Sequence, residues 1–235
     1  MTGTRQVRAV FFDLDGTLVD SETQTDQAID AVVVRRGIAN FALPHSETRG
    51  HTWIHIANTI RARTGIGLAK EALAAELQER WNAATTDVKP IPGAPKAVRA
   101  AAACKLKLGV VSSSPRSVID TFLDKLGVGD CIDPRARIGG DAVENGKPDA
   151  EGFLLAARAL GIDPADSLVF EDSQAGLLAA RAAGMRSMFV TCCASDIPAN
   201  TLLATASCTH YRTLPPRFWE QVADGSLDLA GRSFT

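Results

Sequence analysis

The stretch Phe11-Phe12-Asp13-Leu14-Asp15-Gly16-Thr17 ends an apolar run in two acids and then breaks it with glycine. Successive side chains of an extended segment alternate in direction, so Asp13 and Asp15 project to one side and can serve one site. Two like charges held close together away from water are costly unless a cation or a catalytic task compensates. A first buried strand ending in this way reads as the edge of an active site.

The rest of the chain supplies the sheet that such a strand needs. Short apolar strand candidates recur at Arg8–Phe12, Leu106–Val111, Ser167–Phe170, Ser187–Val190 and, more weakly, Cys208–Tyr211. Helical patterns lie between the later ones. Ala94–Ala103 is alanine-rich, and Arg116–Lys125 follows Ser114-Pro115, which reads as a serine cap with proline in the first turn. Ala150–Leu160 runs into Gly161 and Ala175–Ala183 into Gly184, both glycine stops. Alternation of this kind predicts an α/β fold, a parallel sheet covered on both faces, with ligands bound beyond the carboxyl ends of the strands.

One interval departs from the alternation. Between Val19 and Val88 only helical patterns occur, with apolar faces made by Ala28, Ile29, Val32 and Val33, by Trp53, Ile56, Ala57 and Ile60, and by Leu73, Leu77 and Trp81. The expected organisation is a core of residues 1–18 and 89–235, with residues 19–88 as an all-helical cap that roofs the site beside Asp13. The chain returns through Lys89-Pro90-Ile91-Pro92-Gly93, a hinge candidate. The tail from Leu214 to Thr235 has little periodicity.

Three further clusters carry chemistry. At Val110-Val111-Ser112-Ser113-Ser114-Pro115 a strand ends in hydroxyls where a helix begins, an arrangement suited to an anion and equally to a plain helix cap. In Asn145-Gly146-Lys147-Pro148-Asp149 the lysine stands in a turn, either neutralising an anion or simply solvated. At Leu168-Val169-Phe170-Glu171-Asp172-Ser173 two acids end another strand, and one of them could cap the following helix. Oxygen-only ligands of this kind suit magnesium.

Composition narrows the function classes. A formal charge of −2 over 235 residues and a pI near 6.1 leave no basic footprint for nucleic acid or anionic lipid. No apolar run approaches the roughly 20 residues of a spanning helix, and the N-terminus has no apolar signal-peptide core. The cysteines Cys104, Cys131, Cys192, Cys193 and Cys208 form no CxxC, so reduced thiols and a cytoplasmic location are expected.

With these motifs in order, the chain resembles the haloacid dehalogenase superfamily of phosphohydrolases, in the branch whose helical cap follows the first motif. The resemblance rests on Asp13-Leu14-Asp15-Gly16-Thr17, Ser112, Gly146-Lys147-Pro148-Asp149 and Glu171-Asp172-Ser173. It implies a Rossmann-like parallel sheet and a magnesium-dependent phosphatase of small phosphorylated metabolites such as sugar or polyol phosphates. In that scheme Asp13 is the nucleophile and Asp15 the acid/base. Ser112, Ser113 and Lys147 hold phosphate. Asp13, the Asp15 carbonyl and Asp172 bind Mg2+, and Glu171 is a weaker candidate ligand. Dehalogenases of the superfamily lack the second aspartate, which is present here as Asp15.

In related sugar enzymes a cap loop that opens with glycine reaches the substrate, and its counterpart here is Arg49-Gly50-His51-Thr52-Trp53. Gly50 and His51 are therefore candidate substrate contacts. β-Phosphoglucomutases carry an arginine after that glycine and a lysine and asparagine after the second-motif serines. This chain has its arginine before the glycine, at Arg49, and Pro115-Arg116 after the serines. Hydrolysis is the leading expectation, mutase chemistry the second, and a non-catalytic binding protein the third. The expected partner is a small phosphorylated metabolite, without nucleic acid or membrane, and the expected state is a monomer or small homo-oligomer. His51 and His55, four apart, could pair on a metal, although no third ligand is evident. Trp53 is either part of the cap's apolar stripe or a substrate platform.

Overall fold

In the computed structural model, residues 5–48, 50–84, 88–194 and 196–235 are described, with the side chains of Glu22 and Ser46 set aside. The first strand, β1 (Ala9–Phe12), lies in the middle of a parallel seven-stranded sheet. On one side of it stand β4 (Lys107–Val111) and β5 (Arg137–Ile138). On the other stand β6 (Ser167–Glu171), β7 (Arg186–Val190), β8 (Ala206–Cys208) and β9 (Ser233–Phe234). In register, Phe12 faces Val110 on one neighbour and Phe170 on the other. The residues that follow these three positions therefore leave the sheet side by side, where the strand order reverses and an α/β sheet forms its crevice.

Both faces of the sheet are buried, which is why its central strands read as continuous apolar runs. Val10, Phe12, Val110, Leu168 and Phe170 pack into one cluster, with α4 (Ala94–Ala103) and α5 (Arg116–Leu126). Phe11, Val111 and Val169 face the opposite cluster, with α6 (Glu151–Leu160) and α7 (Gln174–Ala182). The tail is part of this core. Phe218 and Trp219 of α9 (Phe218–Asp224), the helix that follows α8 (Ile197–Leu203), pack around Phe170 with ring centroids 6.4 and 5.5 Å away, and β9 extends the sheet beyond β8.

Between β1 and β4 the chain forms α1 (Glu22–Val34), α2 (Trp53–Thr64) and α3 (Lys70–Ala84). Ile29, Val32, Ile56, Ile60, Leu73 and Leu77 make their common apolar cluster. Ala28 and Trp81 instead join the sheet's cluster, and Trp81 meets Phe122 of α5 edge-on at 5.9 Å. The expectation of no strand from Val19 onward needs correction. Val19–Asp20 forms β2, paired antiparallel with β3 (Lys89–Pro90) within the expected hinge. The chain thus enters and leaves the helical segment on two strands that hydrogen-bond to each other. No helix among the described residues is long and apolar enough to cross a membrane.

Candidate active site

Asp13 follows β1 directly, and its amide donates to the Phe170 carbonyl at 2.9 Å. Its carboxylate thereby enters the crevice between β4 and β6. Lys147, 134 residues later, places its ammonium between two carboxylates: Nζ donates to Asp13 Oδ1 at 2.6 Å and to Glu171 Oε2 at 2.7 Å. All three side chains are buried, at 5% exposure or less for Lys147 and Glu171 and 6% for Asp13. The other Glu171 oxygen accepts the Ser173 hydroxyl at 2.7 Å and the amides of Ser173 and Asp172 at 3.1 and 3.2 Å. Glu171 is therefore a fixed acceptor that orients Lys147. Burial, and then the charge of Glu171, push the Asp13 carboxyl well above its usual range, while Lys147 pulls it down. Burial alone would lower the Lys147 pKa, but the two carboxylates outweigh it and raise the ammonium above the ordinary lysine value.

Asp13, Glu171 and Asp172 each bring a carboxylate oxygen within 4.8 Å of the others, an acidic group that could hold a metal ion. The donor set is all oxygen, the chemistry of a hard divalent cation. Thr17 Oγ1 donates to Asp172 Oδ1 at 3.2 Å and orients that carboxylate. Gly16 makes the approach possible. It turns at φ +79°, and a Cβ there would lie 2.6 Å from Asp172 Cγ. The chain can pass so close to Asp172 only with glycine at this position.

Asp15 points to the other side of the crevice. Its carboxylate oxygens accept the Ser21 hydroxyl at 2.6 Å and the Ser114 hydroxyl at 2.8 Å, and its carboxylate lies outside the acidic group. Burial raises its pKa, and these two hydrogen bonds oppose the rise. Ser21 and Ser114 are site residues that sequence reasoning passed over: Ser114 reads as a helix cap, and nothing in the sequence singles out Ser21. The structure corrects the cap reading of Ser114. Ser21 precedes α1 without capping it through its side chain, and α5 is entered from Pro115. The first amide of α5, at Arg116, donates to Asp141 Oδ1 at 2.9 Å, so an aspartate already occupies the helix end expected to receive an anion. Ser112 Oγ accepts the Ser114 amide at 3.0 Å. The Ser113 hydroxyl, expected at phosphate, donates instead to the Gly50 carbonyl at 2.7 Å. Neither Glu171 nor Asp172 caps α7, because Ser173 does so by accepting the Gly176 amide at 3.1 Å.

A cleft lies over the carboxylates, lined on the sheet side by Asp13, Asp15 and Ser112 to Ser114. Its roof is made by Thr25, Thr48, Gly50, His51, Trp53, Ile56 and Trp81 from the helical segment. Of the candidate cap residues, Gly50, His51 and Trp53 therefore reach the site. Arg49 lies outside the described residues. His51 precedes α2 rather than lying on it, and its ring stacks on His55 with centroids 4.0 Å apart. Trp53 packs in the apolar stripe and also faces the cleft, with its ring edge-on to Trp81 at 6.3 Å.

The family profile described as haloacid dehalogenase-like hydrolase matches residues 10–190, which span Asp13, Asp15, Ser112, Lys147, Glu171 and Asp172. The chain belongs to this family. It is 33% identical over 183 residues to validoxylamine A 7'-phosphate phosphatase of Streptomyces hygroscopicus subsp. limoneus, covering 76% of this chain and 83% of that protein. It is 30% identical to hexitol phosphatase B of Escherichia coli K12, covering 81% and 86% of the two chains. A crystal structure of β-phosphoglucomutase from Clostridium difficile superposes with a TM-score of 0.78 at 21% identity, over 94% of this chain and 98% of that one, a likeness of fold. The protein is a phosphatase of this hydrolase family.

Proposed function

We propose that the protein hydrolyses phosphate monoesters of small hydroxylated metabolites, sugar or polyol phosphates, through an aspartyl-phosphate on Asp13. Residues 19–88 serve as the cap over a core of residues 1–18 and 89–235. The observation that carries the reading is the buried Lys147 ammonium shared by Glu171 and Asp13, whose carboxylate lines the cleft. A dianionic phosphate cannot approach an uncompensated carboxylate, because like charges about 4 Å apart repel by about 4 kcal/mol at an effective dielectric near 20. Lys147 offsets that repulsion and holds the nucleophile in place. Ser112 and the amide of Ser113 are the candidate phosphate contacts on the opposite wall.

Asp13 attacks phosphorus, and the bond from phosphorus to the leaving oxygen breaks as Asp15 delivers a proton to that oxygen. Asp15 then takes a proton from the water that attacks the aspartyl-phosphate, releasing phosphate and restoring Asp13. The raised pKa of Asp15 suits this exchange, since it begins as an acid and ends as one. Asp13, Asp172 and the carbonyl of Asp15 would hold Mg2+, with Glu171 held back by Lys147 and Ser173. When bound, the cation supplies charge neutralisation of the transferring phosphoryl group. Trp53, Ile56 and Trp81 offer an apolar wall for the C–H face of a polyol, and Thr25, Thr48 and His51 offer hydroxyl partners.

The test is phosphate release by the purified protein with Mg2+ over a panel of sugar, polyol and short-acid phosphates, with a hexose 1-phosphate to 6-phosphate isomerisation control. Release from hydroxylated substrates that is lost in Asp13→Asn supports the reading. Isomerisation with little release would transfer the assignment to a mutase, and no turnover of any substrate would overturn it.

A further inference from the structure

The cap loop does not merely hang over the cleft; it is seated on the sheet at two points. The Ser113 hydroxyl donates to the Gly50 carbonyl at 2.7 Å across 63 residues of sequence. Gly50 turns at φ +73°, and a Cβ on it would lie 2.9 Å from Ser173 Cβ, so the loop backbone presses into the space between Ser113 and Ser173. Two residues later the Thr52 methyl group comes so close to Gly146 that a Cβ there would lie 3.2 Å from it.

Each seating residue adjoins a charged group of the site. Ser113 precedes Ser114, which binds Asp15; Ser173 binds Glu171; and Gly146 precedes Lys147. The loop carries His51 and Trp53 into the cleft. Its seated position therefore decides whether the roof is in place over Asp13 and Asp15.

We propose that Ser113 is a positioning residue whose hydroxyl latches the cap loop through the Gly50 carbonyl and so holds the roof of the cleft in its working place. The proposal rests on the phosphatase reading for its purpose, since a roof that excludes water protects an aspartyl-phosphate until the alcohol has left. A single neutral hydrogen bond biases an equilibrium by about two- to tenfold. That is enough to favour closure and little enough to let the loop lift at each turnover. Ser113 thus differs from Ser112 and Ser114, whose hydroxyls face the amide and the carboxylate of the site itself.

Amide hydrogen exchange on the full chain, without substrate, tests this directly. In Ser113→Ala the amides from Gly50 to Ile56 should exchange about two- to tenfold faster, while those of β1 and β4 stay as in the parent. Gly50→Ala, which forces its new methyl against Ser173, should release the same segment. Adding Ser113→Ala to Gly50→Ala should then change exchange no further, because both substitutions undo one seat. Unchanged exchange in Ser113→Ala, or effects that simply add in the double variant, would overturn the latch. The measurement needs no turnover. A parent protein inert toward every phosphate ester would sink the functional reading alone, and the exchange result would still decide the latch.

Discussion

Lys147→Met removes the site's central charge while keeping most of its volume, and the structure sets what that should cost. The ammonium lies 2.6 Å from Asp13 and 2.7 Å from Glu171, with all three side chains buried. At an effective dielectric near 20 each contact carries about 6 kcal/mol of gross attraction, much of it offset by the desolvation of the partners. What the variant loses is better gauged by removal of one member of a buried ion pair, about 3–5 kcal/mol. For a domain of this size that is a fall in Tm of roughly 6–20 °C. The deficit should depend on pH with a definite sign. Without the ammonium, nothing offsets the burial and the Glu171 charge that push the Asp13 carboxyl above its unfolded value near 4, so the native state binds more protons than the unfolded chain. Stability is then full below that value and falls as pH rises through the folded-state pKa. The variant should recover part of its loss between pH 8 and pH 5, and Mg2+ at about a hundred times its Kd should return about 2.7 kcal/mol. Urea denaturation of chelator-treated protein at both pH values, with and without Mg2+, measures all three quantities. A metal-free variant within 1 kcal/mol of the parent at pH 8 would refute the view that Lys147 offsets buried charge.

Three further outcomes follow from the same geometry. Gly16→Ala should lower stability by about 1–2 kcal/mol for the left-handed backbone alone, and calorimetric Mg2+ titration should show weaker binding because the new methyl displaces Asp172. Ser21→Ala with Ser114→Ala removes the two larger of the hydrogen bonds that hold the Asp15 pKa down, leaving that of Ser112, so the alkaline limb of kcat/KM should move up by about one pH unit. Trp81→Ala empties a site that is 2% exposed and shared by the cap and the sheet, with an expected cost of about 3–5 kcal/mol in a denaturation curve.

The strands that could be read from the sequence are those whose burial leaves no alternative. β1, β4, β6 and β7 are apolar on both faces, and a run such as Val10 to Phe12 has no other place in a soluble fold. The strands that escaped reading are β2, β3, β5 and β9, two residues each, too short to carry a period. They exist because a neighbouring strand offers them its edge, which is tertiary information. Proline in β3 argues against a strand from sequence, but its position at the end of a two-stranded ribbon tolerates the missing donor. The tail escaped for a related reason. α9 is only seven residues long, so Phe218 and Trp219 look unpatterned until the aromatic cluster around Phe170 receives them.

The site divides along a different line, that of charge against hydroxyl. Two acids side by side at the end of an apolar strand are costly to bury, so Asp13 and Asp15 stand out, and the Glu171-Asp172 pair leaves one acid over even when the other is read as a helix cap. A serine has many structural roles. Ser21 and Ser114 stand at helix starts, where capping would explain both, and only the fold turns their hydroxyls onto Asp15, the second across 99 residues of sequence. Asp141 then takes the helix end that Ser114 vacates. The same asymmetry governs the roof of the cleft, whose polar groups are Thr25, Thr48 and His51 rather than acids. The acids and the lysine are residues whose burial must be explained, while the polar groups of the roof are residues that fit almost anywhere. The Ser113 hydroxyl belongs to the second kind. Beside Ser112 it reads as one more phosphate donor, and only its 2.7 Å approach to the Gly50 carbonyl separates holding the roof from holding the substrate.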